Sequence, residues 1–479
     1  MTAARPTMLE RYRQAAALAP QTLPTLMRNR RVTPEWTGDG DAFWYRRESA
    51  DGEEFVLVDP LAGTRTVAAT LDELGVRIAE SGASPGILRG PDGRGLRRRD
   101  NDLWLVDGET ETRLTSDGEP GFAWGELPSN NNMVVPFRRM GLDLPPSGTV
   151  HSPSGRRIIT MRPDERQMPI RHMVESLPPS GRARPEVHSW AVQLDDEGEP
   201  PAAECRIIDL DTGASVRVDA SDGLVSQLMV NGAAEVTWSA DESRLYLLHH
   251  RQGAARAALV EVDTTTGARR DAVVVTEGPL YEPNQFLYSL PLVRVLPESG
   301  EAVLFSQRDG WGHLYLFDLA TGQCRNRISD GQLVVRDILS LDVERREITY
   351  LAGTAQDGGN PYWRRVYRAG LDGATQRLLT PELADHDLVA QEPQFFHLVF
   401  GQGKPAVQSI SPSGRFFVDH QSTVSDAPVI MLRDAENDGH VVLELERTDI
   451  APLLAAGYVA PQAFCVKADD GVTDLWGVI

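Results

Sequence analysis

The sequence predicts an all-β fold, a β-propeller of four-stranded blades, on three observations: a strand–turn phrase that recurs seven times, a second turn motif that accompanies it, and a length that one core does not reach. At 479 residues the chain exceeds the roughly 250–300 residues at which single cores stop growing, whereas repeat architectures lengthen unit by unit. The phrase is an apolar strand alternating with period two, an acidic turn ending in Gly, and a second, polar strand. It occurs at Phe55–Thr66, Leu103–Thr115, Cys205–Gly213, Ala258–Gly267, Leu314–Gly322, Val366–Gly373 and Val429–Gly439. Alternation places one face in a core, and Asp-x-x-Thr-Gly supplies the turn, Gly accepting positive φ. The second motif, a turn followed by a strand, stands at Ser152–Thr160, Ser239–Leu248 and Ser411–Val418. Two hairpins in roughly 50 residues make one blade. The spacing doubles between Leu103 and Cys205, so an eighth unit is sought there or between Val67 and Arg99.

Taken in order, residues 1–34 read as a helical extension, because Met8 to Leu26 carries helical apolar spacing broken at Pro20 and Pro24. Residues 35–460 are the propeller. Within it, residues 121–150 are rich in Pro, Asn and Gly and read as an inserted arm, and such rim loops are where propellers place binding groups. A strand-like tail, residues 461–479, follows.

Composition narrows the function. The formal charge is −21, which repels phosphate backbones and argues against nucleic-acid binding while favouring a cationic ligand such as a peptide ammonium. No run of about 18 apolar residues occurs, so no transmembrane helix is expected and no membrane partner is assigned. Met1 to Pro20 carries Arg5, Glu10, Arg11 and Arg13 without an apolar core of its own, so the expected address is cytoplasmic. Three widely spaced cysteines (Cys205, Cys324, Cys465) flank strand-like runs and read as buried, inert thiols. No zinc motif, EF-hand or phosphate loop is present, so no metal and no cofactor are assigned.

The residues for bond cleavage are missing as well. Gly82-Ala-Ser-Pro-Gly86 matches G-x-S-x-G literally. Pro85 would remove the backbone N–H that should build the oxyanion hole, so Ser84 is not read as a nucleophile. His313 reads as a structural hydrogen-bonding residue, and His249-His250 as a blade-edge pair without further ligands.

Several blocks resemble the N-terminal domain of the dipeptidyl peptidase IV branch of the prolyl oligopeptidase family of serine peptidases. Trp36–Arg47, Arg99–Val106 with Arg113–Gly118, and Asp164–Pro169 follow that family's order, and Arg308-Asp-Gly-Trp-Gly-His-Leu-Tyr315 is close to a signature of the branch. Phe464–Ile479 resembles the first strand of the family's catalytic domain, so residues 461–479 are assigned to its start. The resemblance implies eight blades capping an α/β-hydrolase domain of the same protein, a homodimer of the full-length form, and release of short peptides from peptide N-termini. The chain itself, lacking the Ser/Asp/His triad, is expected to be inactive alone, its share being to gate and hold the peptide substrate. A free-standing propeller that binds peptides or proteins as a scaffold is the alternative.

In the family two adjacent glutamates on a short arm grip the substrate's ammonium, a task suited to charge-assisted bonds. The corresponding stretch here, Trp124–Met133, holds one carboxylate, Glu126. The substrate-binding candidates are therefore Glu126, Glu165 of the acidic pair Asp164-Glu165, and Arg98 of the cluster Arg97-Arg98-Arg99, which would meet a substrate carbonyl.

Overall fold

The computed structural model describes residues 7–18, 22–38, 40–49, 52–77, 86–126, 141, 143–178, 184–192, 203–220, 236–250, 256–276, 281, 291–354, 358–388 and 409–479. Among them the chain forms seven four-stranded antiparallel sheets, one for each recurring phrase. The first runs from Glu35 to Ala68 and the second from Leu88 to Arg113. The third combines Val150–His151, Arg157–Pro163, Ala203–Asp209 and Ser215–Val218. The fourth spans Val236–Thr276, the fifth Val293–Arg327, the sixth Leu333–Leu378 and the seventh Asp385–Arg447. Strands pair in chain order within each sheet. The one interruption is a two-stranded ribbon, Ile170–Glu175 with Glu186–Ala191, inserted between the second and third strands of the third sheet. That ribbon and the arm occupy the doubled spacing, while Leu88–Arg99 belongs to the second sheet.

Both turn motifs do the same work at each occurrence. Asp209 Oδ1 accepts from the Thr212 N–H and Oγ1, Asp263 Oδ1 from Thr266, and Asp318 Oδ1 from Thr321, at 2.8 to 3.0 Å. Gly213, Gly267 and Gly322 close these turns with φ of 71°, 73° and 70°. In the second motif Ser152, Ser239 and Ser411 each accept, through Oγ, the N–H five residues on (3.1, 3.0 and 3.1 Å). Glu242 holds the left-handed position there (φ 57°) that Gly155 and Gly414 fill in the other two copies.

The chain divides into two compact units, and within each of them packing joins neighbouring sheets face to face. Unit 2, Ser81–Arg327 with Gln391–Pro405, holds the second to fifth sheets. In it Leu96, Leu103 and Trp124 of the second sheet's side meet Ile158 and Ile208 of the third. Met161 and Ile207 meet Leu245 and Val260 of the fourth, and Leu259 and Val273 meet Leu304 and Phe317 of the fifth. Unit 1, Met1–Glu80 with Ile328–Ala390 and Ala406–Ile479, holds the first, sixth and seventh sheets. In it Phe43, Tyr45, Val56 and Val58 of the first sheet pack on Phe416, Ile430 and Leu445 of the seventh. Truncating any of these fully buried aromatics to Ala costs about 3–5 kcal/mol by cavity formation.

Carboxylates clasp neighbouring sheets at their turns. Glu242 of the fourth accepts from the Ser154 N–H of the third (2.6 Å), and Glu298 of the fifth from the Ala240 N–H of the fourth (3.1 Å). Asp41 of the first accepts from the Ser413 N–H and Oγ of the seventh (3.3 and 2.8 Å).

The N-terminal helix, Met8–Ala17, carries a Thr7/Glu10 capping box and is exposed on the described faces, Met8, Leu9 and Tyr12 among them. A short helix follows at Leu23–Leu26. Residues 27–34 are not helical: Arg28 forms a β-bridge with Asp449, and Val32 is buried against the seventh sheet. A further short helix, Ala451–Ala455, precedes the hairpin Ala463–Lys467 with Asp474–Val478. The cysteine expectation is corrected at two positions. Only Cys205 is buried, and burial pushes its thiol up to about 12. Cys324 lies on an outer strand and Cys465 on the exposed terminal hairpin, where neither face is covered.

Candidate functional site

Two of the three candidates meet. Arg98 lies on strand Gly95–Arg99 of the second sheet, where alternation sends Arg97 and Arg99 to the opposite face. Those two pair with Glu111 of the outer strand at 2.8 and 2.7 Å. Arg98 faces the arm instead, its Nη1 standing 3.8 Å from Glu126 Oε1, with side chains 33% and 41% exposed. Such a loose, half-solvated pair contributes at most about 1 kcal/mol and can be exchanged for another charged group. The Arg98 Nε is buried and has no hydrogen-bond partner among the described residues. Glu165 contributes through its backbone: its N–H donates to Gly121 O at 2.7 Å, tying the third sheet to the start of the arm. The neighbouring Asp164 is engaged by Arg166, at 2.5 to 2.7 Å, which holds its carboxyl below the usual range.

Glu126 is held from its N-terminal side. Trp124 is fully enclosed, its N–H donating to Asn101 O and its Nε1 to Asp117 Oδ1, both at 3.0 Å. Gly125 follows with φ 63°, its N–H donating to Met161 O at 3.2 Å and its carbonyl accepting from the Ser147 N–H at 2.8 Å. A Cβ at Gly125 would stand 2.9 Å from Pro146 Cβ and 3.1 Å from Leu103 Cδ2, so any side chain would displace the backbone. The carboxylate of the next residue therefore hangs from a fixed peptide.

Charged residues not singled out from the sequence build the ground beneath. Arg162, 3% exposed, lies directly opposite Glu204 in the third sheet and pairs with it at 2.8 Å. Its guanidinium also bonds Asp117 and lies 3.8 Å from the centre of the Phe122 ring and 4.4 Å from that of Trp124. Arg206 binds Glu204 and Asp117 and covers Trp124 at 4.7 Å. Burial pushes the Asp117 carboxyl up, but the Trp124 donor and the two arginines outweigh it and hold the group low. Glu204 behaves alike, held low by Arg162 and Arg206 against its burial. The available signal was a charge inside the fully buried run Ile158–Pro163, because a buried ion needs a partner.

Other residues take structural places. His313 is buried edge-on to Tyr315, and Asp309 of the signature block accepts from the Tyr315 hydroxyl at 2.6 Å. Ser84 lies outside the described residues. On the ribbon, register brings Glu175, Glu186 and His188 together, with donor atoms within 4.8 Å of one another and a His188 Nε2 to Glu175 Oε2 distance of 2.9 Å. Sequence spacing alone does not reveal this set of potential metal donors, because they come from opposite strands.

Residues 142–427 match the family described as the dipeptidyl peptidase IV (DPP IV) N-terminal region. A protein named dipeptidyl peptidase 4 from Emericella nidulans is 26% identical over 278 residues, which is 53% of this chain and 32% of that relative. A chain named as a dipeptidyl aminopeptidase IV from Bacteroides ovatus superposes with a TM-score of 0.62 at 18% identity, over 93% of this chain and 64% of that one. Porphyromonas gingivalis dipeptidyl peptidase 4 superposes with a TM-score of 0.59 at 14% identity, over 92% and 56%. The chain thus spans less than two thirds of each of these relatives, and the fold it shares with the solved ones is the β-propeller. On the extent of the family match, the chain belongs to the dipeptidyl peptidase IV N-terminal region family.

Proposed function

We propose that this chain is the non-catalytic propeller of a dipeptidyl peptidase IV-like serine exopeptidase, gating peptide access and holding the peptide's free amino terminus at Glu126. The observation that carries the reading is the placement of Glu126: a half-exposed carboxylate on a fixed peptide, opposed only loosely by Arg98. An incoming ammonium offers Glu126 a charge-assisted hydrogen bond in place of the 3.8 Å pair, and the Arg98 guanidinium, a third exposed, is then available to a peptide carbonyl. The α/β-hydrolase domain that would cut the peptide belongs to the remainder of the protein in this reading, consistent with relatives longer than the chain.

Calorimetric titration of this chain with an Ala-Pro-containing peptide, free and N-acetylated, tests the proposal. The free amine should bind at least about tenfold more tightly, a difference of about 1.4 kcal/mol. Glu126→Gln should erase that preference. Equal binding of both peptides to the wild-type chain would sink the assignment.

A further inference from the structure

Arg162 sits at the centre of the ground on which the arm stands. It interrupts a strand whose other residues from Ile158 to Pro163 are all buried, and is itself enclosed. Nη1 donates to Asp117 O (2.6 Å) and Phe122 O (3.5 Å), while Nη2 donates to Asp117 Oδ2 (2.9 Å) and Glu204 Oε2 (2.8 Å). The guanidinium plane meets both Phe122 and Trp124. The chain from Asp117 to Trp124 is thus wrapped around one side chain, and Glu126 is two residues further on. A lysine would supply a point charge without the fork or the plane.

We infer that Arg162 is a positioning residue: it sets where the Glu126 carboxylate stands without touching the ligand. This rests on the reading of Glu126 as the ammonium site. Displacement of a binding group by about 1 Å is enough to cost large factors in function even when the fold is intact.

The test compares Arg162→Lys with Glu126→Gln and with Arg325→Lys, a control on the fifth sheet where Arg325 pairs with Glu301. Three readouts are taken on the whole chain: thermal midpoint, the affinity ratio for free over N-acetylated Ala-Pro peptide, and hydrogen exchange of the Trp124 and Gly125 amides. Arg162→Lys should drop the affinity ratio about tenfold, towards the Glu126→Gln value, and speed exchange at those amides about tenfold, with fifth-sheet exchange unchanged. Arg325→Lys should leave both readings at wild type. An Arg162→Lys chain that keeps the wild-type ratio and wild-type exchange overturns the inference. Absence of any free-amine preference in the wild type defeats the Glu126 reading; exchange alone then judges Arg162, faster exchange supporting its hold on the arm and unchanged exchange overturning it. Should Arg162→Lys not fold, Phe122→Leu removes one face of the stack and is read by the same criteria.

Discussion

His420 shows how a single buried residue ties stability to pH. Its Nε2 accepts the Val32 N–H at 3.0 Å and its Nδ1 donates to Asp387 O at 3.0 Å, which requires the neutral ring protonated on Nδ1. Burial, reinforced by Arg31, lowers its pKa to about 4, with Asp387 and Asp419 opposing. Because the folded pKa lies below the usual value of about 6.5, the unfolded chain takes up the proton first as pH falls. The associated stability is complete above about pH 6.5 and is lost as pH drops towards 4, a change on the order of 3 kcal/mol. Urea midpoints measured from pH 7 to pH 4 should therefore fall steeply for the wild type. They should fall less steeply for His420→Gln, which has no proton to take up. Parallel slopes would remove His420 from the acid response.

At the scale of the turn, glycine meets two separate demands, and the repeat allows them to be separated. Gly213 and Gly267 close the same Asp-x-x-Thr-Gly turn with nearly the same φ. A Cβ at Gly213 meets nothing within 4 Å, whereas at Gly267 it would strike the backbone carbonyl of Arg217 in the neighbouring third sheet. Gly213→Ala should cost only the left-handed backbone penalty, about 1–2 kcal/mol. Gly267→Ala should cost more, by about 1–3 kcal/mol of forced displacement, seen as a lower urea midpoint at unchanged slope. Equal midpoints would show that the sheets separate without cost at this turn. The same contrast explains what the sequence disclosed. The Asp-x-x-Thr-Gly and Ser-x-x-Gly turns were legible because their hydrogen bonds close within five residues. The clasp from Glu242 to Ser154, the ribbon's pairing and the place of Arg162 were not, because each is settled by a partner 11 to 88 residues away. Glu126 was legible as the lone carboxylate of Trp124–Met133, but its Arg98 neighbour and the Gly125 that fixes it required the fold. Residues 27–34, grouped with the helical extension although the helical spacing ends at Leu26, are tied to the seventh sheet by the Arg28–Asp449 bridge and the buried Val32.

At the scale of the whole molecule, the first sheet is held to the seventh across nearly the full length of the chain. Tyr45 donates to Glu446 Oε1 at 2.8 Å, 401 residues apart, and Phe43 and Val58 share a core with Phe416 and Leu432. Closing so long a loop costs only slowly more entropy than closing a short one, so a modest set of contacts suffices. Part of that set belongs to the segment before the first sheet. Val32 is buried in the shared core, Arg28 and Asp449 exchange backbone hydrogen bonds at 3.0 Å, Asn29 O accepts from Thr448 Oγ1 at 3.1 Å, and Arg31 pairs with Asp387. The capped helix before it is largely exposed. Removal of residues 1–18 should therefore leave the thermal midpoint within about 2 °C, since it uncovers little apolar surface. Removal of residues 1–33 deletes the Val32 contact, worth about 1.5–3 kcal/mol, and several hydrogen bonds of about 1 kcal/mol each, and it strands the His420 acceptor. A midpoint lower by about 10 °C or more is expected, with the first and seventh sheets losing exchange protection before the fourth and fifth. If the two truncations melt together, residues 19–33 do not fasten the ends, and the junction rests on the sheet faces alone.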